Sequence, residues 1–319
     1  MVKAIKNIMR TQAMDSDILH VITDEERAKL QKVLLGMLKD VIEACRQLNI
    51  DCTLIGGSVL GAVRHQGFIP WDDDLDIGMT RSEWNIFKEH FDSVLGNKYV
   101  LEAPNYNDKD SKQLLSKINL KDSEYVMIEE VNFPYINCIF LDVFIIDYVS
   151  DNCVVRSFDA FTANLMRLMA ITMQEYKYPS PIMKEAMMSS KATKIYYFVR
   201  QIIGCFSSLL MSHKTLGKWF DRFVSRHRKP TKRATVATGL KRYRKETLDS
   251  NVWFPYSKGI FEGISVNLPH DPDKYLSFIY GEYMKLPPLE KRETHAIVKL
   301  KFLDDSDEHK TINSCSQAM

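Results

Sequence analysis

The sequence predicts an α+β fold, in which a mixed sheet core flanked by helices is followed by a largely helical additional region. Three observations predict it. Two amphipathic helices open on matched capping boxes within the first hundred residues. Short apolar runs bounded by turn residues separate and follow them. From Val154 to Trp253 the chain is mostly helical in character and rich in Met and aromatic residues. Short connections between strands, with helices packed against them, belong to an α+β or mixed α/β core.

Thr23 with Glu26 forms the first capping box, and Leu30, Val33, Leu34, Met37, Leu38, Val41 and Cys45 recur at helical spacing to about Asn49. Cys52–Ile55 reads as a short strand, broken by Gly56-Gly57-Ser58, with a short helix over Val59–Arg64. Gly67 and Pro70 mark a loop. Asp72–Met79 reads as a second strand, and Thr80 with Glu83 opens a helix carrying Trp84, Phe87 and Phe91 that stops at Gly96. Further strands are expected at Tyr99–Glu102, Leu114–Asn119, Glu124–Ile128 and Ile139–Ile146. The predicted organisation is an extension (1–22), the core (23–150), a helical basic region (151–253), a segment rich in Tyr, Pro and Gly (254–303) and a polar tail (304–319). No internal repeat is visible.

The apolar share and the balance of charges belong to a globular chain. The first fifteen residues lack the apolar core of a secretory signal, and no run approaches the length of a spanning helix. The six cysteines are scattered, without close metal-binding or redox pairs, which fits reduced thiols and a cytoplasmic location. The net charge of +2 conceals an asymmetry: between Lys191 and Lys245 stand 15 Lys and Arg against the single acid Asp221. Such a block suits anionic partners. No motif for binding nucleic acid accompanies it, and none is expected as a partner.

Chemistry concentrates in Asp72-Asp73-Asp74-Leu75-Asp76. On an extended strand Asp72, Asp74 and Asp76 share one face, and Asp73 points to the other. Three carboxylates on one face repel one another, a conflict that a bound divalent cation resolves. The plainer reading is a solvated acidic loop. Two neighbours favour the cation. Gly56-Gly57-Ser58 offers backbone amides and a hydroxyl for a phosphate, and Asp142 lies inside the very apolar run Ile139–Ile146, where an unpaired carboxylate is costly. Asp147, near the end of that run, reads as a cap or turn residue. The combination suits phosphoryl chemistry.

The stretch GGSVLGAVRHQGFIPWDDDLDIGM (residues 56–79) closely resembles the signature of the LicD family, phosphocholine transferases of the nucleotidyltransferase-fold superfamily, with fukutin-related proteins as more distant relatives. SKINLKDSEY, IFLDVFIIDY and YGEYMKLPPLEKRETH resemble further family segments, and the likeness spans about residues 23–148 and 254–296. It implies a nucleotidyltransferase-like catalytic core over 23–150, completed by 254–303. It further implies Asp74, Asp76 and Asp142 as catalytic metal ligands for Mg2+, with Mn2+ as a substitute. Gly57, Ser58, Arg64 and Lys117 are implied as donor-binding residues. Asp72, Trp71 and His295 are additional candidates. Arg64 reads equally well as a surface cation, Trp71 and Phe68 as loop anchors, and His295 as a structural histidine. Asn119 and Ser123 depart from the Arg and Thr usual in the family.

The implied reaction transfers phosphocholine, or a similar phospho-alcohol, from CDP-choline or another CDP-alcohol to a cell-surface glycan or its lipid-linked precursor, such as lipopolysaccharide or teichoic acid. The rivals are a nucleotidyltransferase moving an NMP from an NTP, and a non-catalytic glycan- or partner-binding protein. For the basic block the reading is contact with an anionic membrane surface at the inner face of the cell membrane. The apolar stretch Gln201–Met211 is too short to span and is flanked by Lys194, Arg200, Lys214 and Lys218. An internal core helix beside a solvated basic neighbour is the alternative.

Overall fold

The computed structural model describes residues 19–106, 114–134, 137–288, 292 and 294–303. Most of the expected extension and the whole polar tail, with Cys315, lie outside the described residues. Helix α1 (Asp24–Gln47) starts at the Thr23–Glu26 box and buries Leu30, Leu34, Met37, Leu38, Val41 and Cys45 as one stripe. The Thr80–Glu83 box opens α3 (Arg81–Val94), which buries Trp84, Phe87 and Phe91. Between these helices lie β1 (Thr53–Leu54), α2 (Gly56–His65) and β2 (Asp76–Thr80). Next come β3 (Tyr99–Glu102), β4 (Ser116–Leu120), β5 (Glu124–Met127) and β6 (Phe140–Tyr148).

The largest boundary differences from the expectation are the starts of α2 and β2. Helix α2 begins at Gly56, so the glycine pair is its first turn rather than a break before it. Strand β2 begins at Asp76, and residues 72–75 are loop. The reason is pairing: β1 offers only Thr53 and Leu54, opposite Gly78 and Ile77, and the parallel register with β6 begins at Asp76 opposite Asp142. Residues 72–75 have no ladder to join.

The central sheet runs β1-β2-β6-β4-β3. Strand β6 is its spine. It pairs in parallel with β2 on one edge, and antiparallel with β4 over Phe140–Val143 and with β7 (Arg233–Val236) over Ile146–Tyr148 on the other. β8 (Leu248–Asp249) extends β7. The basic region is therefore only partly helical. Helices α4 (Cys153–Lys177), α5 (Pro181–Met187), α6 (Lys191–Leu210) and α7 (His213–Val224) leave the end of β6, and the chain returns to β6 as β7. Short helices α8 (Arg242–Lys245) and α9 (Ser250–Trp253) flank β8. The hairpin β9 (Ser257–Phe261)–β10 (Ile264–Leu268) and α10 (Pro272–Tyr280) follow, and β11 (Ile297–Lys301) pairs with β5.

The main apolar core lies between α1, α2, α3 and the sheet; a second, smaller cluster joins Leu114 and Val149 to α4, α7 and Tyr243. Arg81 links the two. Its guanidinium donates two hydrogen bonds to Asp147 of β6 and one to Asp221 of α7. Asp147 is therefore a buried ion-pair partner, not the cap or turn residue its position suggested.

Candidate active site

Sheet register assembles the centre of the site. Asp76 on β2 and Lys117 on β4 both stand opposite Asp142 on β6, so three charged residues form one row across three neighbouring strands. Lys117 Nζ lies 3.9 Å from Asp142 Oδ1 and 3.5 Å from the centre of the Phe140 ring. Asp142 Oδ1 is fully buried and accepts no hydrogen bond among the described residues. Burial pushes the Asp142 carboxyl up to about 6; Lys117 pulls it down and the charge of Asp74 pushes it up. Burial and the charges of Asp74 and Asp142 likewise raise Asp76 well above the carboxylate range. Asp72 is raised by burial and by Asp74 and Asp73.

The glycine turn is shaped around these acids. Gly56 has φ +56°, and a Cβ there would lie 2.8 Å from Asp76 Oδ2, so both conformation and space require glycine. A Cβ on Gly57 would meet Asp72 Oδ2 at 3.4 Å. Ser58 Oγ accepts from Asp76 N at 2.8 Å, which ties the first turn of α2 to the first residue of β2. The turn is held from the other side by Tyr275, whose hydroxyl accepts from Gly56 N.

Asp73 turns away from this row, as strand alternation suggested, although it sits in a loop. Its Oδ1 is 3.0 Å from His295 Nδ1, and its Oδ2 accepts from His295 N and the Tyr125 hydroxyl. Burial alone would raise Asp73, but the bonds from His295 and Tyr125 outweigh it and hold the carboxyl below its usual value. Burial alone would depress His295, yet the hydrogen bond to Asp73 and the charges of Asp73 and Asp74 push it up to about 10. His295 Nε2 lies 4.0 Å from Asp74 Oδ2. The histidine thus stands at the acidic cluster as a cation braced by Asp73.

The donor set fits a hard divalent cation. Carboxylates crowd together, their mutual repulsion raises their proton affinities, and Asp142 has an orphaned buried oxygen. Ligand oxygens of Asp72, Asp73 and Asp74 also come within 4.8 Å of one another. That trio differs from the expected Asp74, Asp76 and Asp142. Asp73 is the weakest ligand of the trio, because His295 and Tyr125 already occupy both its oxygens.

The remaining candidates are placed as follows. Arg64 donates to the Tyr283 carbonyl at 2.6 Å and to His65, which pins it to the segment after α10. Trp71 is half-buried under the Arg292 guanidinium, 4.1 Å from its ring centre. Phe68 is buried edge-on against Phe261 and anchors the loop. Asn119 and Ser123 serve the backbone: Asn119 donates to Val100 O, and Ser123 bridges Leu120 O and Ile139 N. Sequence reasoning missed Tyr125, Tyr275 and Tyr280. The Tyr280 phenol is raised by burial and by Asp76 and Asp72. Its signal was available, because Tyr280 begins the C-terminal segment YGEYMKLPPLEKRETH.

Residues 49–160 match the family model described as LicD/FKTN/FKRP, nucleotidyltransferase domain. Over that stretch the chain is similar to the LicD family. The matched stretch holds the glycine turn, the acidic segment, Lys117 and Asp142; His295 lies outside it. Over 278 residues the chain is 23% identical to the lipopolysaccharide cholinephosphotransferase LicD of Haemophilus influenzae, covering 84% of this chain and 94% of that one. Shorter likenesses reach an uncharacterized protein of Rickettsia typhi, 44% identical over 62 residues and 19% of each chain. Another, of Rickettsia prowazekii, is 38% identical over 71 residues, 20% of this chain and 27% of that one. The likeness to the Haemophilus protein thus runs through nearly its whole length, while the family model matches the acid-bearing stretch.

Proposed function

We propose that this chain is a metal-dependent transferase that moves phosphocholine, or a similar phospho-alcohol, from a CDP-linked donor to a hydroxyl of a cell-surface glycan or its lipid-linked precursor, releasing CMP. The observation that carries the proposal is the row Asp76–Asp142–Lys117 beside the Gly56–Ser58 turn. The likeness to a cholinephosphotransferase supports the choice of group transferred.

In this reading Asp74, Asp76 and Asp142 hold Mg2+, or Mn2+ in its place, with Asp72 close by. The ion, when bound, would supply charge neutralisation at the donor phosphates. The backbone at Gly57 and Ser58 receives those phosphates at the start of α2. The acceptor oxygen attacks the β-phosphorus in line, a new P–O bond forms, and the anhydride P–O bond breaks so that CMP leaves with the bridging oxygen. The acceptor's proton passes to Asp142, the buried carboxylate in the middle of the charged row. Lys117 and the His295 cation stand where negative charge builds up and offset it. No protein nucleophile is required; positioning and charge do the chemistry.

The test is incubation of the protein and Mg2+ with CDP-choline, CDP-ethanolamine, CDP-glycerol and CDP-ribitol and a glycan acceptor, followed by detection of CMP and modified glycan. CMP release that depends on both acceptor and metal is expected from one of the four. Pyrophosphate released from an NTP, with no CMP from any CDP-alcohol, would overturn the reading in favour of a nucleotidyltransferase.

A further inference from the structure

Helices α4 and α6 pack antiparallel: Arg200 pairs with Glu175, and one turn further along α6 Gly204 lies against Thr172 with no room for a Cβ. Each helix keeps an apolar stripe turned outward. On α4 it comprises Val154, Phe158, Phe161 and Leu165; on α6, Phe198, Ile202, Phe206 and Leu209. Phe161, Phe206 and Leu209 are 68%, 65% and 78% exposed among the described residues. Both stripes repeat at helical spacing, so these are faces and not scattered surface residues, which alone would need no explanation.

The charges decide what covers these faces. Exposed Lys177, Lys191, Lys194, Lys218 and Arg222 lie on the same helices and on α7. Most of the acids there are already engaged: Asp159 by Arg226 and His227, Glu175 by Arg200, and Asp221 by Arg81. Exposed Glu185 is the exception. A second copy of the chain would bring positive fringe against positive fringe. An anionic bilayer satisfies both the apolar stripe and its basic border. Arg200, expected from the sequence to join that border, is held by Glu175 and Tyr196 instead.

We infer that the outer faces of α4 and α6 dock onto an anionic lipid surface. The helices lie on the bilayer: no single helix among the described residues is long and apolar enough to cross it, and α6 with α7, which reach that length and composition only together, are broken by a bend of 87°. The same helices also line a cavity of about 440 Å3 that extends to His295, with Arg167 of α4 and Arg200 of α6 on its wall. Docking therefore sets the cavity beside the acidic site next to the membrane. The inference does not depend on which group is transferred.

The test is co-sedimentation of the full chain with phosphatidylcholine vesicles and with vesicles containing about one-third phosphatidylglycerol. Binding is expected to the anionic vesicles, to weaken with salt, and to fall about fivefold for each of Lys191→Ala and Lys194→Ala. The pair Phe161→Glu and Phe206→Glu is expected to reduce it at least roughly tenfold without lowering the melting temperature. The inference is overturned by failure to bind anionic vesicles, by equal binding to neutral ones, or by binding that the Phe→Glu pair leaves unchanged. It is also overturned if the parent is a dimer that the Phe→Glu pair splits while neither form binds lipid.

Discussion

Asp76 stands opposite Asp142 in register, and the charge of Asp142 adds to the burial that raises the proton affinity of Asp76. Replacing Asp76 by Asn keeps the shape and removes one of the repelling charges, so the ion-free protein should hold or gain stability, whereas Asp142→Asn also deprives buried Lys117 of its partner. In the proposed mechanism either change also removes a metal ligand. In Asp76→Asn or Asp142→Asn, transfer is expected to fall by roughly a hundredfold or more. Mg2+ should stabilise the parent by about 3 kcal/mol at a hundredfold excess over its dissociation constant, read as a raised melting temperature, and should fail to raise that of the variants. Parent-level turnover in either variant would sink the metal assignment. These acids were legible because they sit in a short contiguous motif and in the most apolar strand of the chain. Of the brace behind them only His295 was a candidate, and its partners were not legible. Asp73, Tyr125 and His295 meet across long separations, and a lone histidine near the C-terminus carries no sequence sign of the carboxylate it will find.

Elements of strong local chemistry were equally readable: both capping boxes form with the expected partners and open α1 and α3. The strand β7 was not. It has only four residues in a basic stretch, and it exists because β6 offers it an edge some ninety residues earlier in the chain. Its return loop carries a titratable group with a measurable consequence. Glu246 follows α8 and is buried; its Oε1 accepts from Lys241 N at 2.7 Å, and its side chain leaves no room for a Cβ on Gly239. Burial raises its carboxyl to about 7, against the pull of the Lys241 amide and of Arg167. The folded state therefore favours the protonated form. The stabilisation linked to that proton is complete below about pH 4.5 and is lost as the pH rises through about 7. Glu246→Gln keeps the acceptor oxygen and removes the titration. By denaturant unfolding the variant should match the parent near pH 4.5 and exceed it at pH 8 by about 1–3 kcal/mol. An equal difference at both pH values would refute this account.

At the scale of the whole molecule, the question is whether the helical basic region is an appendage or part of one cooperative structure. Sequence composition separated it sharply, because its charge and its Met-rich helices differ from the core. The sheet does not: β7 and β8 extend it from within that region. Arg81 makes the coupling specific. It begins α3, directly after the acid-bearing strand β2, and holds Asp147 of β6 and Asp221 of α7 in one buried network. The network keeps Arg81 charged, whereas burial pushes Asp147 up despite Arg81, so the pairing does not fully offset the desolvation of the carboxylate. A pair of this kind adds little net stability when intact, yet it is costly to break, because the partner is left buried and uncompensated. Arg81→Ala is therefore expected to destabilise the protein by about 3–5 kcal/mol. Since the arginine joins both apolar clusters, the loss should appear as one unfolding transition moved as a whole, seen alike by tryptophan fluorescence and by far-ultraviolet circular dichroism. Two separate transitions, only one of them shifted, would show that the helical region unfolds on its own and that Arg81 merely decorates the boundary.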